Sequence, residues 1–160
     1  MDERPSVYIE TSLLSYLAAR PSSNLIVAAQ QELSRQWWEL RRSEYQLFVS
    51  KLVLEESNRG DPDAARRRLE YAADMPLLEL DDETYRLSRM FLDSGTIPIK
   101  AQADAAHVAV ATRHNVEYVL TWNCRHIANA TIKRRLAALL WREGYEIPAI
   151  CTPYELFGRD

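Results

Sequence analysis

Val7-Tyr8-Ile9-Glu10-Thr11-Ser12-Leu13-Leu14 is the stretch from which the fold is read. Val7-Tyr8-Ile9 is a short apolar run of residue types that favour strands. Thr11 and Ser12 then offer helix caps ahead of Leu13-Leu14-Ser15-Tyr16-Leu17. A strand that gives way at once to a helix is the opening of a βαβ unit, and the same change of period recurs along the chain.

Working outward, Arg20–Asn24 reads as a loop. A long helix is predicted from Leu25 to Arg42, with Ile26, Ala29, Leu33, Trp37 and Leu40 at helical spacing. Trp37 and Trp38 read as packing residues rather than a base-stacking site. Gln46–Val49 reads as the second strand, followed by a helix after Ser50 that Gly60 ends. Asp61 and Pro62 then start a helix as its cap and first residue, running through Arg66-Arg67-Arg68 to Ala73. Leu77–Leu80 reads as a short strand. Asp81 caps a helix with Asp82 and Glu83 in its first turn, and Gly95 closes it. Ala101–His114 is an Ala-rich helix and Tyr118–Thr121 a strand. Asn129 caps a last long helix ending near Gly144. Ile147–Ile150 is the last strand, and Tyr154–Phe157 a tail turn. Strands alternate with helices throughout, so the fold class is α/β, a parallel sheet flanked by helices in three layers. No repeat or linker divides the chain, and residues 1–160 read as a single domain.

The bulk composition fits this. The chain has 160 residues, enough for one ordinary core, and its 4 glycines suit a helix-rich chain better than a turn-rich sandwich. A net charge of -3 does not point to a broad basic surface, although Arg66-Arg67-Arg68 and Lys133-Arg134-Arg135 form local basic patches. Cys124 and Cys151 lie far apart with no CxxC pairing, so they read as reduced thiols rather than zinc ligands or a disulfide. No apolar run approaches the roughly 18 residues of a membrane helix. Met1–Ser6 carries no signal-peptide pattern, and a cytoplasmic location is expected.

Four polar groups fall just past predicted strands or early in the helices after them: Glu10, Glu56, Asp104 and Asn123. In open α/β sheets ligands bind beyond the carboxyl ends of the strands. Clustered carboxylates repel unless something positive compensates. Hard divalent cations such as Mg2+ or Mn2+ take oxygen ligands, lower the pKa of a bound water and stabilise charge on phosphate. The set therefore suits phosphodiester hydrolysis. Helix capping and solvation are the plainer roles for the same acids.

The residues also resemble a family. Val7–Leu14 is similar to the opening of a PIN domain, where a strand ends in Asp-Thr/Ser-Ser. Val49-Ser50-Lys51-Leu52-Val53-Leu54-Glu55-Glu56 resembles the second PIN motif, whose serine stands six residues before the acid and so favours Glu56 over Glu55. Ala103-Asp104-Ala105-Ala106-His107-Val108-Ala109 resembles the third motif, and Leu120-Thr121-Trp122-Asn123-Cys124-Arg125-His126-Ile127 the fourth. The four motifs cover nearly the whole chain in the right order. The resemblance, which includes the VapC toxins, implies a PIN-like fold and acidic groups that bind Mg2+ or Mn2+. It also implies ribonuclease activity on RNA, a cognate antitoxin and homodimerisation.

The sequence departs from the pattern in two places. Glu10 stands where the family usually has Asp, one methylene shorter, and Asn123 and His126 occupy a region where a further aspartate is common. Two functions therefore stand side by side: a metal-dependent ribonuclease, and a catalytically weakened PIN module that binds RNA or a protein partner. His107 reads as a buried histidine bonded to backbone, with a catalytic base as the sharper alternative. His126 is expected either to orient the Asn123 loop or to touch phosphate. Trp37, Trp38, Leu40 and the helix from Asp82 to Phe91 are the expected apolar surface of a homodimer.

Overall fold

The computed structural model describes residues 2–158, and in it the first predicted strand lies at the centre of the sheet. β1 (Ser6–Ile9) pairs in parallel with β2 (Gln46–Ser50) on one side and β4 (Tyr118–Leu120) on the other. β3 (Leu77–Leu78) extends the sheet beyond β2, and β5 (Ala149–Cys151) beyond β4. The order is β3-β2-β1-β4-β5, all parallel. Val7, Tyr8 and Ile9 are fully buried, because a central parallel strand is covered on both faces and has no solvent side to alternate toward.

The helices are α1 (Thr11–Ala18), α2 (Leu25–Leu40), α3 (Lys51–Ser57), α4 (Pro62–Ala72), α5 (Asp82–Asp93), α6 (Gln102–Arg113) and α7 (Ala130–Arg142). Local chemistry starts most of them where the sequence says. Asp61, Asp81 and Asn129 accept the N–H groups of Ala64, Thr84 and Ile132 as N-caps. Gly95, at φ 71°, follows α5 in the left-handed conformation that closes a helix cheaply. Helix α1 packs against α2, α3 and α4, while α5 packs along α6. From Ala105 to Thr112 every residue of α6 is buried, so this helix shows no polar face, and its alanines permit close approach.

Several boundaries differ from the sequence reading. α2 stops at Leu40, and Arg42–Glu44 form a separate 3-10 turn before β2. β3 ends at Leu78 rather than Leu80, because only Val49 and Ser50 offer it partners. β5 is Ala149–Cys151 rather than Ile147–Ile150. Its register is set by Tyr118, Val119 and Leu120, and Pro148 has no N–H to give a ladder. The N-cap of α1 is Glu10, not Thr11 or Ser12, since the Glu10 carboxylate itself takes the Ser12 N–H.

Trp37 and Trp38 belong to the core. Trp37 is fully buried and donates its indole N–H to the Leu156 carbonyl at 3.0 Å, and Trp38 meets Tyr71 edge-on. The packing role is borne out, and the two indoles therefore drop out of the expected dimer surface. Leu40 is exposed, as are Leu25 and Ile26 at the other end of α2. The arginine triplet is also occupied internally. Arg66 pairs with Asp63 and Glu70, Arg67 with Asp63 and the Ala18 carbonyl, and Arg68 with the Ser57 and Arg59 carbonyls. At the far edge of the sheet, Lys133 Nζ donates to the Ile150 carbonyl at 3.1 Å.

Cys124 is exposed, whereas burial pushes the Cys151 thiol up to about 12. A disulfide-exchange thiol reagent at pH 8 is expected to titrate one cysteine in the folded protein and both after denaturation. Two fast-reacting thiols in the native state would place Cys151 at the surface.

Candidate functional site

The chain leaves β1 toward β2 on one side, and β4 lies on the other, so the seam between β1 and β4 is a topological switch point. Glu10 sits at the carboxyl end of that seam and is 5% exposed. A carboxylate so buried needs its lone pairs satisfied. Its Oε2 accepts the Ser12 N–H at 2.7 Å, and its Oε1 accepts the hydroxyls of Ser12 at 2.7 Å and Thr121 at 2.6 Å. Those hydroxyls accept in turn. Ser12 Oγ takes the Trp122 N–H at 2.8 Å and Thr121 Oγ1 takes the Asn123 N–H at 2.9 Å. The turn after β4 thus hangs from one side chain at the end of β1. Trp122 adds an indole bond to Ser34 of α2 at 2.7 Å and stacks on Tyr16.

Glu56, near the end of α3, points back to the same edge. Its Oε1 accepts the Thr11 hydroxyl at 2.7 Å and lies 2.5 Å from His107 Nε2. His107 comes from α6 and is 1% exposed. Its Nδ1 lies 2.6 Å from the Tyr8 hydroxyl, which shares a 2.8 Å hydrogen bond with Ser50. His107 is therefore buried, as read, but its ring bonds to side chains and not to backbone. Burial on its own lowers the His107 pKa. The Glu56 hydrogen bond and the negative charges of Glu10, Glu56 and Asp104 outweigh this and hold it above the ordinary imidazole value. Burial on its own raises Glu56, but His107, the Thr11 hydroxyl and Arg59 hold it below the usual carboxylate range.

Asp104 lies in the first turn of α6, and its Oδ2 is 3.0 Å from His126 Nδ1. The His126 backbone N–H donates to Asn123 Oδ1 at 3.0 Å. Asn123 is thus turned into its own loop, and His126 both orders that loop and holds Asp104. The loop bond comes from the His126 backbone and the Asp104 bond from its ring.

The structure brings Glu10, Glu56 and Asp104 within electrostatic reach of one imidazole. Among the described residues, however, no three His, Cys, Asp or Glu side chains converge as direct ligands of one ion. Glu10 Oε1 and the Asn123 carbonyl oxygen are engaged internally, while Glu56 Oε2 and Asp104 Oδ1 take no hydrogen bond among the described residues. Oxygen donors of this kind are what a hard cation that keeps several waters takes. The sequence reading missed Tyr8 and the bond from Thr11 to Glu56. Their only signal is a polar hydroxyl inside or directly after an apolar strand.

No protein-family model matches the chain, and no curated protein matches it. Among solved structures, a chain in the crystal structure of VapBC2 from Rickettsia felis, bound to a DNA fragment from their promoter, superimposes with a TM-score of 0.57. The two share 12% identity over 91% of this chain and 97% of that one. A chain of VapBC-5 from Mycobacterium tuberculosis, a member of the VapBC family of toxin-antitoxin systems, gives a TM-score of 0.45 at 18% identity, covering 74% of this chain and 86% of that one. The first likeness is one of fold, and it bears out the PIN-like α/β fold that the four motifs imply.

The His107–Glu56 pair makes stability depend on pH. His107 titrates higher when folded, so its contribution is complete below its unfolded value of 6.5 and fades as pH rises through the folded value. Glu56 titrates lower when folded, so its contribution is complete above its unfolded value of 4.5 and fades as pH falls through the folded value. In chelator-treated buffer, the melting-temperature gap between the wild type and His107→Asn is expected to be widest between pH 4.5 and 6.5. A gap that is flat from pH 3 to 9 would show that the pair is not coupled to folding.

Proposed function

We propose that the protein is a metal-dependent endoribonuclease, a single PIN-like unit of the VapC type and the toxin of a toxin–antitoxin pair. The observation that carries this is the grouping of Glu10, Glu56 and Asp104 around His107, beyond the carboxyl ends of a parallel sheet whose fold matches a VapBC2 chain. Glu56 and Asp104 would each offer an open oxygen to Mg2+ or Mn2+, and Glu10 and Asn123 would complete the set by giving up an internal hydrogen bond. When bound, the metal supplies an activated water and offsets charge on the phosphate. The chain's own part is positioning. Thr11 and His107 aim Glu56, His126 steadies Asp104, and Glu10 fixes the turn bearing Asn123. The VapBC2 match is to a chain from a VapBC complex, which supports a cognate antitoxin and, with it, a cytoplasmic location. Among the described residues no helix is long and apolar enough to cross a membrane.

A second reading has its own support. The Glu10 carboxylate and the Asn123 amide oxygen are both spent on internal hydrogen bonds, as a module that binds RNA or a protein partner without cutting would have them.

Mn2+-dependent cleavage of a mixed RNA pool separates the two. Asp104→Asn and Glu56→Gln are expected to lose activity by on the order of a hundredfold, and Glu10→Asp to change it clearly, because the shorter arm must shift either the cap or the site. Equal cleavage by all variants would trace the activity to another source. RNA binding without cleavage in every variant would favour the second reading.

We also propose a homodimer, now resting on Tyr85 of α5 and the neighbouring Ile99, which are 55% and 75% exposed. Light scattering at high micromolar concentration is expected to give twice the 18.5 kDa chain mass. A monomer under those conditions would remove the dimer.

A further inference from the structure

The site reading uses Glu56 and His107 but leaves the rest of a buried polar chain without a role. Ser50 ends β2, Tyr8 stands in β1, His107 lies in α6 and Glu56 in α3. Ser50 Oγ meets Tyr8 OH at 2.8 Å, Tyr8 OH meets His107 Nδ1 at 2.6 Å, and His107 Nε2 meets Glu56 Oε1 at 2.5 Å. Ser50 and Tyr8 are both 0% exposed. A hydroxyl and a phenol placed in the middle of a sheet are costly unless they are bonded, and a Phe would fill the Tyr8 space without that cost.

We propose that Tyr8 and Ser50 are positioning residues that act through His107 to aim Glu56 into the site. An ionised Glu56 needs a donor, so Nε2 carries hydrogen, and the ring must be held with that edge toward α3. The other ring nitrogen is fully buried and needs a partner of its own. Tyr8 supplies it, donating to a bare Nδ1 or accepting from a protonated one, and the Ser50 hydroxyl reverses to match. In either state the ring stays pinned from both sides. Glu56 Oε1 is held by His107 and Thr11, which leaves Oε2 without a hydrogen bond among the described residues and available for the proposed function. Partners one hydrogen bond behind a ligand, as His107 is to Glu56, commonly change metal affinity by on the order of 10–100-fold, and Tyr8 stands one bond further back. The inference rests on the nuclease reading for the purpose of Glu56, but not for the chain itself.

Tyr8→Phe removes one oxygen and keeps the ring. Leu140→Ala, a fully buried change on α7, serves as a control that loosens the core without touching the chain. The readouts are the histidine ring 15N pattern, the Glu56 carboxyl 13C shift and the Mn2+ dissociation constant by calorimetry, all at one pH. The wild type is expected to show His107 protonated at Nε2. Tyr8→Phe is expected to alter the His107 pattern, move the Glu56 shift and weaken Mn2+ binding by roughly threefold to tenfold, less than loss of a direct partner would. Ser50→Ala is expected to act in the same direction more weakly, and Leu140→Ala to change none of these while lowering the melting temperature. Wild-type His107 and Glu56 signals in Tyr8→Phe would overturn the proposal, as would equal loss of Mn2+ affinity in Tyr8→Phe and Leu140→Ala. If the wild type binds no Mn2+, the nuclease reading falls, and the two spectroscopic signals still decide whether Tyr8 positions the pair.

Discussion

The buried carboxylate of Glu10 is the constraint on which the rest of the site depends. A charge with 5% exposure at the end of a central strand is tolerable only when ringed by donors. The chain supplies three, from Ser12 twice and from Thr121 once. Each donor hydroxyl then becomes an acceptor for the next peptide N–H of the turn after β4. The arrangement joins the strand, the helix that follows it and the neighbouring strand through one residue. It also gives a physical account of the longer acid at this position. The extra methylene lets the carboxylate reach its own helix cap and the Thr121 hydroxyl together.

Two further acids lie close by, and each meets an imidazole. Glu56 is matched to His107 and Asp104 to His126, which uses two of the 3 histidines in the chain. Each pair leaves one carboxylate oxygen without a hydrogen bond among the described residues. The acids are thus each fixed by a ring while keeping one oxygen uncommitted, and the rings come from α6 and from the turn after β4.

What was legible in the sequence is what local chemistry decides. Asp61, Asp81 and Asn129 cap the helices that their spacing announces, and the alternation of strands and helices was enough for a parallel sheet. Glu10 as an N-cap was not legible, because a glutamate seldom serves there and its choice depends on Thr121, 111 positions away. The partners of His107 were hidden for the same reason, since Tyr8 lies 99 positions from it. Proximity of the acids could be inferred from topology, but the direction of each side chain could not. Asn123 shows this most clearly: its place after β4 was readable, and its inward-turned amide was not. The Trp37–Trp38 pair misled on association, because adjacent indoles on a helix look like an outward patch until the Leu156 carbonyl and Tyr71 are found beneath them.

The edges of the sheet limit how copies of this chain can meet. β3 has two residues and β5 three, and an outer carbonyl of β5 is already taken by Lys133. Strands this short give a newcomer almost no ladder to continue, so the sheet terminates itself. Assembly must then go through side chains on helices rather than through backbone pairing. Such short margins template poorly, and a partner with an extended segment gains more from a groove between helices than from either edge.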